Sequence, residues 1–172
     1  MEFEEAKEEF IQAWGALGTS WGINKTMAQI FALLLISPGP LSVEQIMEEL
    51  SISRGNVSMN LRLLMDWRLV EKLTKKGERK EYFHTDRDIW SIARIVAEER
   101  KNREIQPVLK VLNKIKSVDH GKSPEAAELN RVTSELSDII HFTDTALTHY
   151  INSDKSWVSK TIMNLIKKSK NK

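Results

Sequence analysis

Cysteine is absent from the 172 residues, which excludes a disulfide framework, a thiolate nucleophile, a cysteine zinc site and thiol-based redox sensing. Long hydrophobic runs are missing as well, because the longest, Ile30 to Ile36, is far short of the roughly 20 residues of a membrane helix. The opening MEFEEAKEEF is acidic where a secretory leader would be basic. These absences together predict a cytoplasmic protein with no membrane partner. Glycine and proline are few and scattered, with no phosphate loop, dinucleotide fingerprint, HExxH or nucleophile elbow. Neither an enzyme activity nor a cofactor is expected. His141 and His149 stand eight apart on a helical stretch with Glu135, Asp138 and Asp144, whereas zinc favours histidines three to five apart. No metal site is expected either.

What the chain does have is charge, unevenly placed. Its formal net charge is only +2. Residues 1 to 52, however, carry eight acids against Lys7 and Lys25, whereas residues 53 to 80 carry Arg54, Arg62, Arg68, Lys72, Lys75, Lys76, Arg79 and Lys80 against three acids. Residues 155 to 172 add six lysines and no acid. Such local sign asymmetry suits a polyanionic partner, although a run of charge is often only a solvated face.

Helical periodicity dominates the pattern. Phe3, Ala6, Phe10, Ala13 and Leu17 form one stripe of an N-terminal helix that needs a partner, and Gly15, Gly18 and Gly22 are expected to weaken it before a break at Trp21 to Asn24. A second apolar helix runs from Lys25 to Ile36 and is ended by Ser37-Pro-Gly-Pro40. Ser42 with Gln45 makes a capping box for a short helix, Val43 to Leu50. After the turn, Ser53 caps the next helix, which completes a helix-turn-helix. Leu69 to Thr74 and Glu81 to Thr85 are β-prone runs around the polar KKGERK, a hairpin. Helix, turn, helix and hairpin together form a winged helix.

Beyond the hairpin the helical period returns, with Thr85 or Asp86 as the expected cap and a kink or break between Glu98 and Pro107. His120 to Ser123 reads as a loop. Pro124 suits the first turn of a helix to about residue 152, whose Leu129, Val132, Leu136, Ile139, Thr143, Ala146 and Tyr150 keep a 3-4 spacing over three heptads. A last amphipathic helix carries Trp157, Val158, Ile162, Leu165 and Ile166.

Helix 53-66 carries the chemistry. Val57, Leu61 and Leu64 share its apolar face, while Gly55, Met59 and Arg62, flanked by Asn56 and Ser58, share the other. Such a helix fits the major groove with its N-terminal residues toward base edges. Arg54 and Arg62 suit guanine or phosphate, Asn56 suits adenine in bidentate fashion, and Ser58 suits either base or phosphate. Gly55 lets the backbone approach closely. The helix start at Ser53 favours a phosphate. Lys75, Lys76, Arg79 and Lys80 on the wing, 75-80, would reach the backbone or minor groove.

The stretch from Lys25 to Phe83, with GPLSVEQIMEELSISRGNVSMNLRLLMDWRLVEKL and GERKEYF, resembles the MarR-type winged-helix transcriptional regulators, and most of all their glycine-betaine-synthesis repressor (GbsR) branch. The resemblance implies a mainly α protein, with a winged helix-turn-helix at 25-87 flanked by dimerisation helices at 1-24 and within 88-172. It implies a homodimeric repressor on double-stranded operator DNA, with half-sites roughly 34 Å apart. It implies recognition-helix contacts at Arg54, Asn56, Ser58 and Arg62, backbone contacts from the wing, and a phosphate at Ser42. The unpaired stripes on the N-terminal helix and on residues 129 to 151 agree with a dimer. A choline-type effector is associated with this branch. Trp14, Trp21, Trp67, Trp90 and Trp157 could supply rings for a cage, but aromatics on helices are mostly core, so effector-binding residues stay unassigned. The rival expectation is a winged helix used for protein-protein interaction without specific DNA binding.

Overall fold

The computed structural model describes residues 1–20, 22–74, 76–77, 79–116 and 123–153. Trp21, Lys75, most of the expected loop at 120–123, and the whole C-terminal amphipathic helix with Trp157 and its lysines lie outside the described residues. The chain divides into two compact units, Met1–Ile92 and Ala93–Lys172.

The first unit begins with α1 (Phe3–Ser20) and α2 (Lys25–Ile36). Gly15 and Gly18 do not weaken α1 as expected, since the helix runs through both. They are its contact with α2: a Cβ on Gly18 would lie 2.6 Å from the Ala28 Cβ, and one on Gly15 would lie 2.8 Å from the Gln29 Cγ. Close helix approach therefore outweighs the conformational cost of glycine. Gly22, at φ +74°, ends the helix as expected, and the next N–H, from Ile23, returns to the Gly18 carbonyl. Asn24 then caps α2 by accepting from the N–H groups of Thr26 and Met27. The stripe of Phe3, Ala6, Ala13 and Leu17 faces away from this packing and is exposed.

β1 (Leu41–Ser42) leads directly into α3 (Val43–Leu50), with the Ser42–Gln45 capping box formed in both directions. Ser51 takes the left-handed conformation at φ 52°, and Ile52 N–H closes onto the Met47 carbonyl. α4 (Arg54–Asp66) follows, capped by Ser53. β2 (Glu71–Thr74) and β3 (Glu81–His84) make the hairpin. β3 is the centre of an antiparallel sheet in the order β1-β3-β2, pairing Leu41 with Phe83 on one side and Lys72 with Phe83 on the other. β1 was not visible in the sequence, because two residues carry no period and their partner lies forty residues on. Ile30 and Leu33 of α2, Ile46 of α3, and Val57, Leu61 and Leu64 of α4 are fully buried, so three helices share one core. Arg87 donates to the carbonyls of Ser37 and Pro38, which ties the α2–β1 turn to the end of the sheet.

α5 (Ile89–Arg100) starts at Asp88, whose carboxylate accepts from Trp90 N–H. The expected caps give way for a simple reason: Thr85 is buried, and Asp86 accepts from Asp88 N–H instead, two residues too early. At Lys101–Ile105 the helix widens into a π turn, with Gln106 N–H reaching the Lys101 carbonyl, before α6 (Gln106–Lys116). Pro107, which has no N–H to give to the previous turn, follows directly, so where the sequence predicts a kink or a break the helix continues through a π turn. In the second unit α7 (Pro124–Asn152) is capped by Ser123, has Pro124 in its first turn, and packs on α6 and on the π turn. Lys101 and Asp144 pair at 3.3 Å, and Gln106 bonds the same carboxylate at 2.7 Å.

Candidate nucleic-acid interface

The helix-turn-helix presents α4 by burying its opposite face. Val57, Leu61 and Leu64 hold α4 against α2 and α3. Burial of each such side chain favours folding by roughly 1.5–3 kcal/mol. The exposed side then includes Ser53, Arg54, Gly55, Ser58, Met59 and Arg62, with Asn56 half-buried at its edge. Met59 is 53% exposed. An apolar side chain of this kind suits the C5-methyl group of thymine better than it suits water. Gly55 has nothing within 4 Å of where a Cβ would stand, so its smallness is not required by the fold.

The cationic members differ in their partners. Arg54 bonds Glu44 of α3 through its guanidinium. The Glu44 carboxyl is held below its ordinary pKa, first by the N–H at its own helix start and then by Arg54. On the wing, Lys72 pairs with Glu81 across the strands at 2.9 Å. Lys76, Arg79 and Lys80 are exposed around the tip, where Gly77 takes φ +86° to make the turn. Lys75, expected beside them, lies outside the described residues.

Ser42 is a correction. It is 3% exposed, paired with Tyr82 in the sheet, and its hydroxyl oxygen accepts Gln45 N–H, so it acts as a buried cap with no hydroxyl at the surface for a phosphate.

Asn60 was missed. It is fully buried on the apolar side of α4, and its Nδ2 donates both to the Asn56 carbonyl at 2.9 Å and to Asn56 Oδ1 at 2.7 Å. Its own Oδ1 has no hydrogen-bond partner among the described residues. An unsatisfied buried acceptor costs about 1–3 kcal/mol, so this asparagine is expensive for the core. The signal was present in the sequence, because residue 60 falls on the line of Val57, Leu61 and Leu64, where every neighbour is apolar.

Residues 21–80 match the MarR family model. The HTH-type transcriptional repressor OpcR of Bacillus subtilis (strain 168) is 22% identical over 156 residues, which covers 82% of this chain and 80% of that protein. The putative HTH-type transcriptional regulator YvaV of the same organism is 21% identical, covering 81% of this chain and 82% of the relative. The HTH-type transcriptional regulator MmpR5 of Mycobacterium tuberculosis is 29% identical over 76 residues, covering 44% of this chain and 46% of the relative. A crystal structure described as a transcriptional regulator superposes with a TM-score of 0.64 at 20% identity, over 85% of this chain and 95% of the other, and so shares the fold.

Proposed function

We propose that this chain, a DNA-binding transcriptional regulator with a MarR-type winged helix-turn-helix, is a homodimeric repressor of the GbsR branch that reads an operator with α4 and grips its backbone or minor groove with the wing. The observation that carries the reading is the exposed face of α4, in which Arg54, Ser58 and Arg62 surround a bare Gly55, in the same domain as the basic wing tip. Branch membership rests on the NVSMNLR stretch, Trp67 and that wing.

Two unburied apolar faces support the dimer. Phe3 on α1 is 74% exposed and Phe142 on α7 is 76% exposed, and Leu129, Val132, Leu136 and Ile139 continue the second face. Apolar stripes of this length are uncommon on a monomer's surface. A two-fold dimer would set two α4 helices in successive major grooves, roughly 34 Å apart.

The test is selection of bound genomic fragments by the purified full chain at near-physiological salt. Enrichment of a palindrome with half-sites about one turn apart is the expected result, with the joint replacement of Arg62 and Asn56 by alanine losing operator binding while the protein remains dimeric. Retention of fragments without shared sequence, collapsing as salt rises, would leave only electrostatic attraction and favour a protein-interaction module.

A further inference from the structure

We infer that Asn60 is a positioning residue that fixes which base Asn56 reads, turning it from an adenine reader into a donor for guanine; this rests on the proposed role of α4 in operator binding. Asn56 stands in the first turn of α4, the part of a recognition helix that meets base edges, with its N–H held by Ser53 Oγ at 3.3 Å. Bidentate reading of adenine needs both ends of the Asn56 amide outward, Oδ1 to accept from N6 and Nδ2 to donate to N7.

Asn60 removes one of those ends. The atom of Asn60 that contacts the Asn56 carbonyl must be its Nδ2, because a backbone carbonyl only accepts. The same nitrogen lies 2.7 Å from the Asn56 side chain, which can therefore meet it only with Oδ1. That pair of bonds settles an amide orientation that is otherwise ambiguous. Oδ1 is turned onto a fully buried group, and Nδ2, at the other end of the planar amide, is the outward one. An outward NH2 matches guanine, which sets two acceptors, N7 and O6, side by side in the major groove. Adenine offers N7 beside an opposing N6 donor, thymine offers O4 alone and cytosine a donor alone, so guanine is the one base with two acceptors for the NH2.

The arrangement also accounts for an asparagine at a core position with an unsatisfied Oδ1. Leucine would fill that place at no polar cost, so the donor is what asparagine adds there.

Three variants of the full chain, wild type, Asn56→Ala and Asn60→Leu, are put through selection from a random duplex library. Wild type is expected to enrich guanine at one base pair of each half-site, and Asn56→Ala to lose that preference. Asn60→Leu should still enrich the rest of the operator and melt no lower than wild type, but accept adenine there, with selectivity reduced on the order of ten-fold. Adenine at the position that depends on Asn56, or an Asn60→Leu profile identical to wild type, overturns the inference. No shared sequence in the wild-type selection removes the operator reading itself, and the inference with it. Should Asn60→Leu fail to fold, solvent exchange of the side-chain amides in wild type, read by 15N NMR, decides the geometry. Slow exchange at Asn60 beside fast exchange at Asn56 supports the lock, and fast exchange at both overturns it.

Discussion

The two units place their apolar side chains in opposite ways. Around α4, Ile30, Leu33, Ile46, Val57, Leu61 and Leu64 come from three helices and vanish into one core. Along α7, a stripe just as regular, Leu129, Val132, Leu136 and Ile139, stays open, while the residues that α7 buries include Ala126, Thr133 and Ser137. The fully buried side chains there are small or hydroxylated, Ile140, Leu147 and Ile151 are half-buried, and the large apolar residues of the stripe face outward. The contrast separates two uses of a 3-4 spacing: one makes a domain, and the other offers a surface whose apolar area has yet to be removed from water.

Leu61→Ala should give the largest effect, since it cuts a hole in a core that cannot collapse around it. A loss of about 2–5 kcal/mol is expected in denaturant unfolding. The same kind of truncation at Ile139 should barely alter a monomer's stability, and an equal loss there would break the contrast. Next comes Ile139→Glu, which places a charge on the open stripe. Light scattering should show a shift from dimer to monomer, and operator affinity should fall on the order of 100-fold as the two winged helices lose their linkage. A variant that stays dimeric would move the interface to α1.

The contrast was only half legible in the sequence. Caps and turns could be read because they are local: Ser42 with Gln45, Ser53, Pro124, and Gly77 in the wing each act within a few residues. What faced what could not be read. Gly15 and Gly18 looked like weak points because Ala28 and Gln29, which need them small, lie in another helix. β1 exists only because Phe83 and Tyr82 come alongside it. The candidate surface of α4 followed from its wheel, but the Asn56–Asn60 pair did not, since spacing shows which residues are neighbours and not which amide end each presents. Ser42 misled for the opposite reason, being so good a cap that its hydroxyl is consumed.

Smaller effects sharpen the picture on α4 itself. Gly55→Ala fills open space on a helix and should raise stability by about 0.5–1 kcal/mol. If DNA approaches that backbone closely, the same methyl should weaken operator binding about ten-fold, so stability and affinity move in opposite directions. Smallest of all, Glu44→Gln releases Arg54 for phosphate and should tighten binding about two- to five-fold at low salt. The Glu44 carboxyl titrates below its ordinary value. Its pairing therefore contributes above the unfolded pKa and is lost only as pH falls through the lower folded one. The advantage of the variant should fade in that acid range, as wild type itself becomes protonated.

The π turn at Lys101–Ile105 has a consequence for what kinds of change the chain tolerates. A π turn is one surplus residue absorbed by an otherwise continuous helix. Each residue of an α-helix advances the chain by about 100° around the axis. Deleting one residue there would let the helix run on regularly with Leu109 and Leu112, both buried, kept near their present place, whereas deleting a second would swing them by that angle. The phase of α6 is thus set by counting, so this segment should accept the loss of one residue but not of two.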